Sequence, residues 1–292
     1  MKPASFEYHR PQSLGGVYDC FERLGGDISL LAGGQSLAPM LNLRLARPQH
    51  LVDLNDLVEL DYVRESGDAI EIGGLTRQHR IAIDPEISAA LPLLAAAAAS
   101  IGHYAIRQRG TLGGSLAHAD PAAQLPLLAV LMDAEIICES REGRREIKAD
   151  DFFLSIMTTA LTRGEVVVAA RFPKPPPATG WGFELFSRRR GDFAIVAAGA
   201  LVALEDDRVS DLRLAVGGAG PRPVLLDAQV EQFLNRPPDA VWLKAIGDVA
   251  AKSCDAVDEA RISATYRKEL AGVLVRRALA VAVGRARESR AS

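Results

Sequence analysis

The sequence predicts an α+β protein built from two domains. The chain is 292 residues long, strand and helix patterns are mixed over its first 172 residues, and the proline-rich segment PKPPPA at 173–178 precedes three further strand patterns. A chain of this length is typical of two domains. Proline stiffens the backbone and interrupts both sheets and helices. We therefore expect one domain at residues 1–177 and a second at residues 178–292.

Residues 1–57 predict a small βαβ-like unit. In residues 13–24 the apolar side chains recur at helical spacing, and Gly25 follows at a position that favours a helix end. Residues 28–31 and 51–54 are short apolar runs that are typical of buried strands. The first of these strands leads directly into a glycine-bearing segment.

Residues 58–177 predict a larger unit with a mixed or antiparallel sheet. Strand patterns occur at residues 68–73, 134–139, 145–147 and 165–172, and the middle two suggest a hairpin. Helix patterns occur at residues 76–83, 92–101 and 122–131. Pro121 precedes the last of these, at a position that favours a helix start.

The C-terminal domain at residues 178–292 predicts a three-stranded antiparallel sheet followed by helices. The strand patterns are residues 182–187, 195–205 and 209–216, and the helix candidates are residues 224–234, 239–253 and 263–286. A sheet followed by helices is an α+β arrangement. We expect the polar residues from Arg285 onward to fray.

The composition excludes several function classes. The formal net charge of −3 gives no electrostatic basis for binding nucleic acid or an anionic membrane. The apolar runs are too short for a membrane span, and the N-terminus lacks the apolar segment of a signal peptide. The three cysteines are far apart, so we expect neither iron–sulfur nor structural zinc sites in this chain. These features predict a cytoplasmic protein.

Two glycine-bearing segments about eighty residues apart are the main functional signal. They are LAGGQSL at residues 31–37 and RGTLGGSL at residues 109–116. Glycine lets a ligand approach the backbone closely, and consecutive N–H groups can then bind one anion. Two such loops fit the two phosphates of a dinucleotide. Taken alone, a glycine pair more often marks a turn, and neither GxGxxG nor a P-loop motif is present.

The surrounding sequence adds a family resemblance. AGGQSLAP at 32–39, IGHYAIRQRGTLGGSLAHADPA at 101–122 and SRRRGDFA at 187–194 resemble motifs of the FAD-binding medium subunits of molybdenum hydroxylases, the xanthine dehydrogenase and carbon monoxide dehydrogenase family. The resemblance covers nearly the whole chain and keeps the order of the motifs. It implies that backbone N–H groups of both loops bind the FAD diphosphate, helped by hydroxyl groups. The implied FAD-binding residues are Ala32, Gly33, Gly34, Gln35, Ser36, Leu37, Ile101, Thr111, Leu112, Gly113, Gly114, Ser115, Asp120, Gln124 and Arg189.

Some of these positions keep a second interpretation. Gln124 stands where some relatives carry an acidic residue, and an amide can still bond a flavin hydroxyl. Asp120 fits a helix cap as well as a flavin contact. Residues 188–190 fit either a solvated basic surface or a positive group near the flavin, with Asp192 as an ion-pair partner. His103 and His118 flank the second loop without a third metal ligand, so no metal site is assigned.

The resemblance also implies partners and a function. It implies a large subunit with the molybdenum cofactor and a small subunit with two [2Fe–2S] clusters, in a dimer of heterotrimers. This chain would pass electrons from the clusters through FAD to an external acceptor, with no catalytic residue of its own. Two alternatives stay open at this point: a stand-alone FAD-dependent oxidoreductase acting on a small organic substrate, and a non-catalytic nucleotide-binding or assembly module.

Overall fold

The computed structural model describes residues 2–259 and 261–291. Its N-terminal unit contains a three-stranded parallel sheet in the order β1-β3-β2. The elements of this unit are β1 (Glu7–His9), α1 (Leu14–Arg23), β2 (Ile28–Leu31), α2 (Leu37–Asn42) and β3 (His50–Asp53). Helix α1 is capped by Ser13, whose hydroxyl accepts from Gly16 N at 3.2 Å. The βαβ-like unit is present, and the three-residue β1, which has no sequence signal of its own, extends its sheet.

The next part of the chain forms a five-stranded antiparallel sheet in the order β4-β5-β10-β6-β7. A two-stranded hairpin, β8 with β9, accompanies it. The elements, in chain order, are β4 (Val63–Ser66), β5 (Ala69–Gly73), α3 (Gln78–Ile83), α4 (Pro85–Ala90), α5 (Pro92–Ala99), α6 (Tyr104–Arg107), α7 (Leu112–His118), α8 (Gln124–Leu131), β6 (Glu135–Ser140), β7 (Gly143–Lys148), α9 (Ala149–Phe152), β8 (Phe153–Ser155), β9 (Thr158–Thr159) and β10 (Val166–Pro173).

Most of the predicted elements of this unit lie within two residues of their expected ends. Helix α8 is later than predicted and begins at Gln124 rather than beside Pro121. The reason is a turn in which the Asp120 carboxylate accepts from Ala122 N at 2.8 Å and Asp120 O accepts from Ala123 N at 3.0 Å. Asp120 therefore shapes the turn before α8 and is not its N-cap.

Two apolar layers hold this unit together. The helices α5 and α8 are apolar on every side, which is typical of buried helices, and they pack with Ile70, Ile136 and Phe172 from the sheet. The opposite face of the sheet packs against the N-terminal unit through residues such as Val52 and Val168. The five-stranded sheet thus fixes the small parallel sheet relative to the helices that follow it.

The C-terminal domain contains a four-stranded antiparallel sheet, one strand more than the three predicted. Its elements are β11 (Gly180–Phe186), β12 (Val196–Glu205), β13 (Arg208–Gly217), β14 (Val224–Leu225), α10 (Asp227–Val230), α11 (Ala240–Ser253) and α12 (Ala264–Ala291). The helix expected at residues 224–234 is instead β14, one turn of α10 and a 3-10 turn at Glu231–Phe233. Pairing of Val224 with Val216 on β13 takes the start of this segment into the sheet.

The fraying expected from Arg285 onward is wrong for residues 285–291, because α12 continues to Ala291; Ser292 lies outside the described residues. Three arginines fix its last turns to the sheet. Arg285 donates to Trp181 O at 2.8 Å, Arg287 pairs with Asp207 at 2.9 Å, and Arg290 donates to Leu204 O at 3.1 Å. A polar segment is thus ordered by side-chain bonds to backbone and carboxylate acceptors.

The C-terminal sheet is buried on both faces. Val196, Ala198 and Val202 of β12 face α11 and α12, whereas Ala197 and Leu201 join the core of the preceding unit. This alternation along one strand, with apolar residues on both faces, explains why the strand is almost entirely apolar. None of the helices that the structure describes is both long and apolar enough to cross a membrane.

Candidate functional site

The first glycine-bearing segment, which we call loop 1 (residues 32–36), connects β2 to α2. It leaves the sheet at the end of a parallel strand, where ligands bind in open α/β sheets. Gly34 has a φ of +70°, a left-handed conformation that residues with a Cβ rarely adopt. This glycine lets the chain turn directly from the strand into the helix.

Loop 1 and the first residue of α2 present a row of open backbone donors. Over residues 2–259 and 261–291, none of the five N–H groups of residues 33–37 is paired with a protein acceptor. The loop carbonyls are used instead: Gly34 O accepts from Ala38 N at 3.0 Å, and Gly33 O accepts from the Gln35 side chain at 3.0 Å. Consecutive open N–H groups of this kind form a binding site for an anion.

The second glycine-bearing segment, which we call loop 2 (residues 109–115), runs from the end of α6 into α7. In contrast to loop 1, it uses most of its backbone donors within the protein. The bonds are Leu112 N to Thr76 O at 3.0 Å, Gly113 N to Gly74 O at 2.8 Å, Gly114 N to Thr111 Oγ1 at 3.1 Å and Ser115 N to Thr111 O at 3.2 Å. The N–H groups of residues 33–37 thus remain available to a phosphate, whereas these four donors of loop 2 are already bonded within the protein.

The fold brings the two loops into backbone contact. A Cβ placed on Gly33 would lie 2.1 Å from Arg109 O and 2.8 Å from Gly110 Cα, so only glycine fits there. A Cβ on Gly114 would lie 3.4 Å from Ala32 Cβ. Loops that are about eighty residues apart in the sequence thus form one continuous surface.

Arg77 links the two loops through hydrogen bonds, directly to loop 2 and through Asn55 to loop 1. Its guanidinium donates to Arg109 O in loop 2 at 2.8 Å and to Asn55 Oδ1 at 2.7 Å. Asn55 in turn donates through Nδ2 to Ala32 O in loop 1 at 2.9 Å. Burial lowers the pKa of Arg77, and the nearby Arg109 lowers it further. We call Arg77 and Asn55 the loop clamp.

Asp53 holds the clamp residue Asn55 in place. Its carboxylate accepts from Asn55 N at 2.9 Å and also from the Asn55 side chain and the Tyr8 hydroxyl. Asp53 and Asn55 come at the end of β3, beside the end of β2 that carries loop 1. Sequence reasoning missed Asn55, although a polar residue directly after the strand predicted at residues 51–54 is a usable signal.

A cavity of about 570 Å³ lies in front of the two loops. This volume is typical of small-molecule sites, which span about 300–1,000 Å³. Thirteen of the fifteen residues predicted from the sequence line it: Ala32, Gly33, Gly34, Gln35, Ser36, Leu37, Ile101, Thr111, Gly113, Gly114, Ser115, Asp120 and Gln124.

The other two predicted residues lie away from the cavity. Leu112 is fully buried in the apolar core, with its N–H bonded to Thr76 O. Arg189 is exposed in the connection between β11 and β12, and its carbonyl accepts from Asp192 N at 3.1 Å. In the structure described, neither side chain reaches the cavity wall.

The connection between β11 and β12 nevertheless contributes to the cavity. Gly191, Asp192 and Phe193 line it, and the Phe193 ring is exposed rather than packed in a core. The expected ion pair of Asp192 with the neighbouring arginines is not formed among the described residues. The His103 ring packs against Gly191, where an added Cβ would lie 2.6 Å from the ring. The C-terminal domain thus covers one side of the mouth.

Gln78 is a cavity residue that sequence reasoning missed. It is the first residue of α3, it is buried, and its Oε1 atom has no hydrogen-bond partner. Gln124, at the start of α8, is also buried and lines the same cavity. A buried acceptor without a partner is costly, so Gln78 indicates a ligand that donates to it. A single glutamine in a helix pattern gives no such signal in the sequence.

Two sequence families match the chain. The family described as the FAD binding domain in molybdopterin dehydrogenase matches residues 4–175, which is more than half of the chain. The chain belongs to this family. The family described as the CO dehydrogenase flavoprotein C-terminal domain matches residues 181–282. The resemblance seen in the sequence motifs is confirmed, and the chain is a flavoprotein of the oxidoreductase class.

Relatives align with this FAD-binding protein over their full length. The carbon monoxide dehydrogenase medium chain of Hydrogenophaga pseudoflava is 36% identical, over 98% of this chain and 99% of the relative. The 6-hydroxypseudooxynicotine dehydrogenase complex subunit alpha of Paenarthrobacter nicotinovorans is 37% identical, over 100% and 99%. A solved structure of carbon monoxide dehydrogenase from Hydrogenophaga pseudoflava superposes with a TM-score of 0.94, at 37% identity over 98% and 99% of the two chains.

The residues of the cavity fit FAD. The open N–H groups of loop 1 suit a diphosphate, and Gly33 and Gly34 keep this surface free of side chains. The partnerless Gln78 Oε1 suits a ligand with hydroxyl or amide donors. Apolar residues such as Ile101, Leu75 and Val167 line the same cavity and suit a flat aromatic ring. The open N–H donors and the glycine surface of loop 1 are thus consistent with the FAD-binding family to which the chain belongs.

Proposed function

We propose that this chain is the FAD-carrying electron-transfer subunit of a heteromeric molybdenum hydroxylase. Its partners would be a large subunit with the molybdenum cofactor and a small subunit with [2Fe–2S] clusters, assembled as a dimer of heterotrimers. The observation that carries the proposal is the contact between loop 1 and loop 2 at Gly33 and Arg109, which creates one surface with open N–H donors beside the cavity.

The residues around the cavity divide the binding work. The N–H groups of residues 33–37 would hold the diphosphate, and the hydroxyl groups of Ser36 and Ser115 would add bonds to it. Gln78, Asp120 and Gln124 offer acceptors for hydroxyl or amide donors. Leu112 would act by packing α7 in place, and Arg189 would contribute only through the field of its exposed charge. When bound, FAD supplies an electron store between the iron–sulfur clusters and an external acceptor.

The chain's own contribution is to bind and orient the cofactor and to keep water from it. The loop clamp holds loop 1 and loop 2 together, and residues 191–193 of the C-terminal domain cover one side of the mouth. We assign no acid, base or nucleophile. The relatives named above act on different compounds, as their names state, so substrate choice would belong to the large subunit.

We also propose a division of the chain into two domains. The FAD-binding domain would comprise residues 1–177, with parts at about residues 1–57 and 58–177, and the C-terminal domain residues 178–292. Strand β10 ends at Pro173 and β11 begins at Gly180, so the proline-rich segment supplies the connection. The cytoplasmic location stays a prediction from the sequence.

The proposal is tested by affinity purification of the tagged chain from its native host. We expect bound FAD, identified by its absorbance spectrum, together with one molybdenum-containing and one iron–sulfur protein. The organic substrate of the complex should reduce the flavin only when these partners are present. Reduction of the flavin by an organic substrate in the isolated chain would contradict the proposal and favour a stand-alone oxidoreductase.

A further inference from the structure

Three potential metal ligands lie close together on strands β1 and β3 of the three-stranded sheet, away from the cavity. The parallel pairing of these two strands places them there. Glu7 stands opposite His50, and His9 stands opposite Val52. Because side chains alternate along a strand, Glu7 and His9 point to the same face of β1. Among the residues that the structure describes, Glu7, His9 and His50 are the one group of His, Cys, Asp or Glu side chains that could surround a metal ion.

The distances between the ligand atoms match a tetrahedral site. His9 Nε2 lies 3.2 Å from His50 Nδ1, Glu7 Oε2 lies 3.3 Å from His50 Nδ1, and Glu7 Oε2 lies 3.8 Å from His9 Nε2. Ligands that bind zinc at about 2.0–2.2 Å in a tetrahedral arrangement are about 3.3–3.6 Å apart. Small side-chain adjustments therefore suffice to place all three around one ion.

A hydrogen bond between the two rings does not account for the carboxylate. If one ring nitrogen donates its only facing proton to the other, neither keeps a proton there for Glu7. When both facing ring nitrogens are unprotonated, their two lone pairs and one carboxylate oxygen converge on one point, and a metal cation completes such a set. The rings are also held in place, since the His9 and His50 side chains are only 25% and 14% exposed.

The donor set and the exposure indicate which ion fits. Imidazole with one carboxylate suits zinc, copper or nickel, whereas magnesium and calcium prefer oxygen ligands. The Glu7 side chain is 72% exposed, so solvent can supply a fourth ligand. We infer that Glu7, His9 and His50 form a surface site for a divalent transition-metal ion of the zinc type. The site would join β1 to β3 and is independent of the proposed flavin function.

The test is a calorimetric titration of the full-length, FAD-loaded protein with Zn²⁺, after tag removal and treatment with a chelator. We expect one equivalent to bind. His50→Gln should weaken binding at least about tenfold, given that even outer-shell changes cost about 10- to 100-fold in metal affinity. Glu7→Gln, at an exposed position that does not threaten folding, should weaken it as well.

His79→Gln is the matched control, because the His79 ring packs against Tyr104 in another part of the chain. This variant should bind Zn²⁺ as the wild type does, and all variants should keep their FAD absorbance. As a second readout, Cu²⁺ in the wild type should show electron paramagnetic resonance coupling to two nitrogens, and to one in His50→Gln. Absence of stoichiometric binding to the wild type, or equal affinity in His50→Gln and wild type, would overturn the inference.

Discussion

Loop 1 and loop 2 both contain a glycine pair with a serine one or two residues after it, but the structure uses their backbone donors in opposite ways. In loop 1 and at the first residue of α2, the N–H groups of residues 33–37 have no acceptor in the described chain. In loop 2 the N–H groups of residues 112–115 bond to Gly74, Thr76 and Thr111. Similar sequence patterns thus produce one open loop and one closed loop.

The comparison teaches that a glycine pair can serve either a ligand or the fold. A Cβ on Gly113 would lie 2.8 Å from Gly74 O, so the glycine of loop 2 allows α7 to pack closely against the sheet. Loop 2 is thereby fixed, and Gly33 of loop 1 rests on its backbone at Arg109. We therefore propose that loop 2 is the support and that loop 1 is the main phosphate-binding surface.

The largest expected effect comes from separating the two loops. Gly33→Val places side-chain atoms where Arg109 O lies, 2.1 Å from the new Cβ. Overpacking of this kind costs about 1–3 kcal/mol, so we expect the Kd for FAD to rise about 5- to 150-fold. Fluorescence titration with FAD measures it.

Gly25→Val is the matched control for this substitution. A Cβ on Gly25 has no atom within 4 Å, so FAD binding should be unchanged. Circular dichroism should report the same helix content for both variants. Wild-type affinity in Gly33→Val would show that the contact between the loops is not needed for the cofactor.

Removing FAD should affect loop 1 far more than loop 2. Amide hydrogen exchange at residues 33–37 should be fast without FAD and at least about tenfold slower with saturating FAD, because a bound ligand closes open donors. Residues 112–115 should be protected in both states, since their donors are already bonded. Equal changes in both segments, read by mass spectrometry, would contradict the division of roles.

The loop clamp gives an intermediate effect. Arg77→Met removes the bonds to Arg109 O and Asn55 Oδ1 while it keeps much of the apolar stem. Hydrogen bonds to charged groups contribute about 1.5–3 kcal/mol. We expect part of this lost free energy to weaken FAD binding, so that the Kd for FAD rises about tenfold.

Arg80→Met on the same helix is the control, because the half-exposed Arg80 pairs at 3.0 Å with the half-exposed Asp61 and at 3.6 Å with the more buried Asp84. Surface ion pairs contribute about 0–1 kcal/mol, so FAD affinity should stay within about twofold of wild type. If both variants lost affinity equally, the clamp would have no specific role in holding the loops.

The smallest effects should separate binding from stability. The Ser36 hydroxyl makes no cap bond on α2, so Ser36→Ala should weaken FAD binding about fivefold and leave the free energy of unfolding unchanged. The Thr111 hydroxyl caps α7, so Thr111→Val should lower the free energy of unfolding by about 1 kcal/mol. Urea unfolding without FAD, together with FAD titration, checks both. If Ser36→Ala lowered stability and Thr111→Val weakened FAD binding instead, loop 2 rather than loop 1 would be the main binding surface.

The sequence predicts the fold class and most elements because helical spacing, apolar strands and proline punctuation are local signals. It also identifies most of the cavity, through the motifs around the glycine pairs. It does not reveal β1 or β14, because strands of three and two residues carry too little pattern and depend on their partners. Nor does it show the ordered end of α12, which depends on acceptors at Trp181 and Leu204 far away in the chain.

The use of each backbone donor is also beyond sequence reasoning. Whether the N–H groups of residues 112–115 are open depends on Gly74 and Thr76, which reach them only in three dimensions. The same holds for Arg77, which bonds a carbonyl thirty-two residues away. Motifs locate such a site, whereas the packing of the sheet decides which groups in it remain available.

The contact between Gly33 and Arg109 has a consequence for the order in which parts of the protein unfold. Gly33 belongs to the unit with the parallel sheet and Arg109 to the unit with the five-stranded sheet. A cofactor bound to both loops would therefore stabilise the contact between these two units. Local opening of the N-terminal unit would then release the cofactor before the rest of the chain unfolds. A rise in flavin fluorescence on warming, as FAD leaves the protein, would then report the local opening of about fifty residues, ahead of the main heat-absorption peak.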